Sequence, residues 1–266
     1  MKWLVAVGIL VVLILVVSFG LGRGGTATLN VIGSTSIQPF AEILAQEFNK
    51  TPRPFVVDVQ GGGSTAGLQA VANGVADVGM CSRDLKPEEA AQFTATAFAQ
   101  DGLAVVVHPS NPVQNLSLRQ VAGLFAGDLV NWKQAGGEDR PVRLITREEG
   151  SGTRGAFQEL VMHQALISPK AMVQDSNGSV RAVIARDPGG IGYISLGLVD
   201  ESVKALRIGG VTPTREHVKD KSYALVRPFL FIVKGEPADA ARKFIDYVVG
   251  PEGQKLLEEE GLIRAE

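Results

Sequence analysis

The stretch 33-GSTSIQPFAEILAQEFNK-50 runs three hydroxyl-bearing residues straight into an amphipathic helix. Ile37, Phe40, Ala41, Leu44 and Phe48 recur with a 3.6-residue period, so one face of this helix is built to pack on a core. Gly33 through Ser36 form its entry, with Ser34, Thr35 or Ser36 expected at the N-cap and Pro39 tolerated in the first turn. A cap needs one hydroxyl. Three in succession after a glycine imply that something else is being bonded.

The pattern recurs twice. In 60-QGGGSTAGLQAVANG-74 a strand pattern enters three glycines, then Ser64 and Thr65, then a short helix. In 146-TREEGSGTRGAFQELV-161 another strand enters Gly150-Ser151-Gly152-Thr153 and a helix with Phe157, Leu160 and Val161 on one face. Helix starts carry unpaired N–H groups and a partial positive charge, glycine lets a ligand approach the backbone, and hydroxyls add donors. Each turn alone reads as ordinary capping; three of them at strand ends read as a site for an anion. No G-x-x-x-x-G-K-[ST] run occurs, and three separate turns in place of one phosphate loop fit a small free oxyanion better than a nucleotide. Arginine supplies formal charge: Arg147 stands at the end of a predicted strand, Arg83 follows 79-GMCS-82, and Arg154 follows the third turn. Arg147 is the favoured one, because a guanidinium at a strand's carboxyl end can hold two oxygens of a tetrahedral anion in a fork.

Between these turns the chain alternates strands and helices, which predicts an α/β protein with mostly parallel sheets. Strands are expected over 27–32, 55–60, 78–80, 103–108, 142–146, 191–194 and 229–233. Helices are expected over 37–49, 65–73, 87–98, 118–125, 153–162, 180–186, 239–249 and 251–259. Two polar stretches, Gln100-Asp101-Gly102 and residues 220–227, read as crossings between domains. They place residues 26–101 and 225–266 in one discontinuous lobe and 102–224 in the other.

The chain has 266 residues and is 45% hydrophobic, enough for one large or two smaller cores. Residues 1–25 stand apart. Met1-Lys2 precede an apolar run from Trp3 to Leu21 and then Arg23, as in an export signal; the run is also long enough for an uncleaved membrane anchor. Cleaved and anchored forms both remain open, since no Ala-x-Ala site follows and the single cysteine, Cys81, lies far downstream. Without Lys2 and Arg23 there are 24 basic residues against 28 acidic, a net charge of about −4, and no basic run, which argues against a nucleic-acid partner. His108, His163 and His217 have no metal-ligand spacing, and neither a metal site nor a cofactor motif is expected. An enzyme of the phosphatase or serine-hydrolase kind would need an activated nucleophile or a metal, and no G-x-S-x-G or histidine accompanies the hydroxyl turns.

Taken together and in order, GSTSIQPFAEILAQEF, QGGGSTAGLQAVANGVADVGMCSRDL, LFAGDLVNWKQAGG, TREEGSGTR, DPGGIGYISLG and PEGQKLLEEEG resemble the phosphate-binding subunit of bacterial phosphate ABC importers, in its shorter variety. The resemblance runs from about Leu29 to Gly261. It implies a two-domain Venus-flytrap fold of the type II periplasmic-binding-protein kind, two mixed sheets flanked by helices, with phosphate held in the cleft. It further implies a monomer in the periplasm or otherwise outside the cytoplasm, delivering phosphate to an ABC permease. Thr35, Ser36, Ser64, Arg147, Ser151, Gly152 and Thr153 match the family's ligand positions, and Ser34 is a plausible neighbour. Ser82 stands where longer members place an aspartate that accepts the proton of phosphate and rejects sulfate. Either another acceptor does that work here (Glu148, Glu149 or Asp84), or discrimination is weaker and another tetrahedral oxyanion is the ligand. Cys81 reads as a buried filler. An anchored phosphate sensor or scavenger, feeding no transporter, is the remaining alternative.

Overall fold

The computed structural model describes residues 27–265, so the export or anchor segment lies outside the described residues. Strand β1 (Ala27–Gly33) leads into helix α1 (Gln38–Asn49), β2 (Phe55–Gly61) into α2 (Ser64–Ala72), and β3 (Val78–Cys81) into a single turn, α3 (Pro87–Ala90). β1 lies parallel between β2 and β3, so the three strands end on the same side. The apolar face of α1 is buried at Phe40, Ala41, Leu44, Ala45 and Phe48, as its periodicity requires.

The next strand, β4, is fourteen residues long, Thr94–Val107. Its expected first half was helix over 87–98. That helix stops at Ala90 because residues 94–98 are recruited as strand against β11 (Val226–Val233), a tertiary pairing that overrides local propensity. Gln100-Asp101-Gly102, read as a boundary loop, is continuous strand.

After β5 (Asn115–Leu116) and α4 (Leu118–Ala126) come β6 (Arg143–Arg147), α5 (Gly152–Phe157), β7 (Met172–Gln174), α6 (Asn177–Ile184) and β8 (Gly190–Ser195). Short strands β9 (Lys204–Ala205) and β10 (Arg207–Ile208) and helix α7 (Arg215–Lys219) precede β11; helices α8 (Asp239–Val249) and α9 (Pro251–Glu259) and strand β12 (Ile263–Arg264) follow it. The expected 153–162 helix becomes α5 continued by a π-turn, Gln158–Met162. The small strands β5, β7, β9, β10 and β12 carry too few residues for a period to be legible.

The main sheet runs β2-β1-β3-β11-β4-β8-β6-β7, with β9 and β12 also pairing β4. β11 is antiparallel to β3 and β4, and β8 is antiparallel to β4 but parallel to β6. The two mixed sheets of the expected fold thus share β4. One core gathers Val31, Phe40, Leu44, Phe48, Phe229, Phe231 and Phe244; a second gathers Leu103, Val105, Leu124, Phe125, Phe157, Tyr193 and Tyr223. Pro228, intolerable in a regular central strand, sits beside a register shift between Phe229 and Leu230.

Where β4 and β11 pass between the cores, Asp101 and Arg227 are register partners. Both side chains are 1% exposed, and Arg227 Nε and Nη2 lie 3.0 and 2.8 Å from Asp101 Oδ2. Replacing Asp101 by alanine strands the guanidinium in a dry interior, so Asp101→Ala should lower unfolding free energy by about 3–5 kcal/mol. A drop in the urea midpoint at unchanged slope would show it; a shift smaller than about 1 kcal/mol would deny the pair this role.

Candidate functional site

The three glycine-hydroxyl turns meet at one place. Ser36 Oγ lies 3.1 Å from Thr153 Oγ1, joining the first turn to the third across 117 residues of sequence. The N–H of Thr65 in the second turn donates to the carbonyl of Gly150 in the third, at 3.0 Å. Ser82, just past β3, is at the centre: its Oγ accepts from Ser34 Oγ at 2.8 Å and from Ser36 Oγ at 3.2 Å, and lies 3.5 Å from Ser64 Oγ. Ser34, Ser36, Ser64, Ser82, Ser151 and Thr153 are all buried.

The hydroxyls of the first turn do not cap α1. Its N-cap is Ile37, in helical geometry and with no side-chain cap, while the Ser34 carbonyl accepts from the N–H groups of Ile37 and Gln38. Ser34 Oγ accepts from the Ser36 N–H at 3.3 Å and none of the three hydroxyls receives a helix N–H, which corrects the expectation that one of Ser34, Thr35 and Ser36 serves as the cap. Ser64 likewise does not cap α2, whose N-cap is Gly63; its Oγ accepts from the N–H of Ser82 at 3.1 Å. Ser151 behaves conventionally: it caps α5 by accepting from the N–H of Arg154 at 3.2 Å.

Two glycines make the crowding possible. Gly33 has φ +150°, and a Cβ there would stand 2.3 Å from the Met80 carbonyl oxygen. At Gly152 a Cβ would stand 2.1 Å from Ser64 Oγ and 2.6 Å from Ser82 Oγ.

Arg147 ends β6 against this cluster, 1% exposed. Its Nε and Nη2 grip Glu148 Oε2 and Oε1, each at 2.9 Å, and Nη2 also donates to Thr35 Oγ1 at 3.1 Å and the Asp175 carbonyl at 3.0 Å. Nη1 is buried without a partner. A guanidinium nitrogen is a permanent donor, and burying one unpaired is costly, so this atom asks for an acceptor. Arg83 is engaged elsewhere: it forks onto Glu89 at 2.7 and 2.8 Å, and that contact holds the Glu89 carboxyl below its ordinary range. Arg154 is spent on the Arg147 carbonyl at 2.8 Å. Of the suggested acceptors, Glu149 and Asp84 are exposed and Glu148 is paired with Arg147.

Sequence reasoning missed Arg227 and Asp101. Arg227 Nη1 reaches the Ser82 carbonyl at 3.2 Å and Ser82 Oγ at 3.4 Å, while Ser195 Oγ donates to Asp101 Oδ1 at 2.8 Å. Burial pushes the Asp101 carboxyl up, opposed by the adjoining guanidinium. A lone charge inside each of two apolar runs, 97-AFAQDGLAVVV-107 and 226-VRPFLFIV-233, was the available signal, since such residues are buried only when paired. Cys81 is a buried free thiol whose pKa burial raises, as a filler should be.

Comparison with known proteins settles the family. Residues 22–252 match the PBP superfamily domain. The phosphate-binding protein PstS of Bacillus subtilis is 31% identical over 87% of this chain and 78% of its own. The chain belongs to this family. Its fold is likewise shared with a solved structure of a putative phosphate ABC transporter substrate-binding protein with bound phosphate from Clostridium perfringens, with a TM-score of 0.87 and 38% identity over 90% of this chain and 100% of that one. An ABC-type phosphate transport receptor from Vibrio cholerae matches at TM-score 0.76 and 37% identity, covering 89% and 100%.

Gly152→Ala tests how tightly the three turns are packed. Its methyl collides with two hydroxyls, so unfolding free energy should fall by about 1–3 kcal/mol. Denaturant titration reads this; an unchanged midpoint would mean that the turns are not in contact.

Proposed function

We propose that this protein captures inorganic phosphate from outside the cytoplasm and hands it to the membrane subunits of an ABC importer, acting as a monomer and breaking no bond. The single observation that carries the reading is the unpartnered, buried Nη1 of Arg147 beside a convergence of buried hydroxyls. An unpaired permanent donor, buried among hydroxyls that can also donate, suits a small oxygen-rich anion. The ligand set is Ser34, Thr35, Ser36, Ser64, Ser82, Arg147, Ser151, Gly152 and Thr153, with Ser34 and Ser82 the members least tied to the family pattern. Support for the remainder comes from the family relatives, whose names denote phosphate binding.

The lobes are residues 26–101 with 225–266, and 102–224. The two cores support that division: one draws on Leu29–Ala99 and Phe229–Leu262, the other on Leu103–Leu225. The export pattern in residues 1–25 supports a location outside the cytoplasm, with or without a tether.

Charge balance constrains the affinity. Arg147 is already matched by Glu148, and Arg227 by Asp101, so the anion is held by dipoles and by hydrogen bonds to paired cations, not by free charge. Phosphate has five heavy atoms, and about −1.5 kcal/mol per atom bounds very small ligands, which gives roughly −7.5 kcal/mol and a low micromolar Kd or better.

Calorimetric titration of chain that has been unfolded and refolded to strip bound anion checks this. One-to-one phosphate binding is expected, weakened at least about ten-fold in Arg147→Ala through loss of a charge-assisted donor. Binding that is indifferent to Arg147, or no binding at all, would dismiss the assignment.

A further inference from the structure

Arg83 stands next to Ser82 and yet spends its guanidinium outside the hydroxyl cluster. Nη1 donates to the Asp84 carbonyl at 2.8 Å and to Glu89 Oε2 at 2.7 Å, and Nη2 donates to Glu89 Oε1 at 2.8 Å. Glu89 is steadied in turn by the Lys86 N–H at 2.9 Å. Arg83 is 8% exposed, its side chain fixed at the backbone and at the tip with the methylenes stretched between. Those methylenes lie across Gly155 of α5: a Cβ on Gly155 would stand 2.7 Å from Arg83 Cδ, 3.4 Å from Nε and 3.8 Å from Cγ. The two residues fall in opposite lobes of the division proposed above.

Gly155 has no conformational reason to be glycine. Its φ is negative, and its N–H makes the ordinary helical bond to the Ser151 carbonyl at 3.0 Å. Glycine inside a helix is less stable than alanine, because it gives up more backbone freedom on folding. The three atoms nearest the place a Cβ would take all belong to Arg83, and none to the lobe that carries Gly155. What the small residue makes room for is therefore the other lobe. The spacing at this contact is passed straight to the site. Arg83 follows Ser82 directly, and Gly155 lies two residues beyond Thr153, whose Oγ1 meets Ser36 Oγ at 3.1 Å.

We propose that Arg83 and Gly155 form a clasp outside the ligand set, which fixes how closely the lobes approach and so how long phosphate stays bound. The proposal rests on the phosphate-site and lobe readings above. Both are positioning residues, acting through the hydroxyls beside them and not on the anion. Charge works in the same direction as shape. Glu89 pushes the Arg83 pKa up against the effect of burial, and Glu159, exposed on the π-turn that continues α5, adds a weaker push from the other lobe. An alanine methyl at 155 would have to displace an arginine stem held at both ends. The easiest relief is a wider gap between the lobes. That weakens the closed, ligand-bound form and leaves an open one untouched, so the affinity falls by the difference.

The full chain, refolded free of anion, should be compared with Gly155→Ala, Arg83→Ala, the double variant and, as a control, Gly123→Ala. Gly123 lies within α4, where a Cβ would meet Leu129 of its own lobe at an ordinary 3.5 Å. Gly155→Ala is expected to raise the Kd for inorganic phosphate at least about ten-fold, through faster release with association little changed. Its phosphate-free urea midpoint should not fall, since alanine is the better helix former. Gly123→Ala should leave phosphate binding unchanged. Arg83→Ala removes the stem, so adding Gly155→Ala to it should move the Kd by less than about two-fold. Gly155→Ala binding within about two-fold of the natural chain overturns the clasp and leaves the phosphate site standing. So do additive effects of the two changes, equal losses in Gly155→Ala and Gly123→Ala, or a lower phosphate-free midpoint in Gly155→Ala, which would put the crowding inside one lobe. Failure of the natural chain to bind phosphate overturns the reading beneath it. Should Arg83→Ala not fold, the contrast between Gly155→Ala and Gly123→Ala decides the matter alone.

Discussion

The ion pair between Arg227 and Asp101 sits at the point where everything else in the molecule has to agree. Strands β4 and β11 each pack against both cores, and the pair joins those strands at directly opposed positions. Its free valences reach outward in both directions: Arg227 to Ser82 past the end of β3, Asp101 to Ser195 at the end of β8. Ser195 is itself held through its N–H by the Asn177 side chain, next to the turn whose Asp175 carbonyl receives Arg147. A buried pair of this kind contributes little net stability compared with apolar packing, but losing one partner is expensive. Its effect is to hold the ends of β3 and β8 in one arrangement against the two crossing strands.

That arrangement explains why the site is made of hydroxyls. The turns after β1, β2, β3 and β6 bring Ser34, Ser36, Ser64, Ser82 and Thr153 beside Arg147 in a buried region, where each extra formal charge would need its own counter-charge. The chain admits two arginines and matches each with one carboxylate, Glu148 and Asp101. Neutral hydroxyls can then be added in number, because each both donates and accepts and so offsets its desolvation cost through its neighbours. What remains uncompensated among the described residues of the hydroxyl cluster and its two arginines is one nitrogen of the Arg147 guanidinium.

The sequence made the turns legible and hid the frame. Glycine and serine at a strand-to-helix junction have strong local signatures, so the three turns, the face of α1 and the importance of Arg147 all follow from the local residue pattern. Whether the first hydroxyls act as caps does not follow from it: the helix starts at Gln38 with Ile37 as its N-cap, the Ser34 carbonyl taking the N–H groups of both Ile37 and Gln38. Residues 87–98 looked helical because their composition is alanine-rich and pairing partners more than a hundred residues away leave no local trace. For the same reason Asp101 and the polar run ending at Arg227 looked like linkers. Polarity normally marks the surface, and only a partner on another strand turns it into the mark of an interior. Ser82 presented the opposite case, visible in the pattern while its contact with Arg227 was not.

The distances within the cluster also bear on how a ligand enters. Oxygens 2.8–3.2 Å apart are in hydrogen-bond contact, and no anion fits between them. One of these contacts, Ser36 to Thr153, joins residues on either side of the β4 crossing. On the proposed reading, an oxyanion entering here breaks a hydroxyl contact between the two proposed lobes and replaces it with stronger, charge-assisted bonds of its own. Binding and the spacing of the halves are then one equilibrium. The ion can favour a given spacing only by the difference between the bonds it makes there and the hydroxyl bonds it displaces. Because the displaced bonds are neutral and the new ones end on an ion, that difference favours the bound, bridged form.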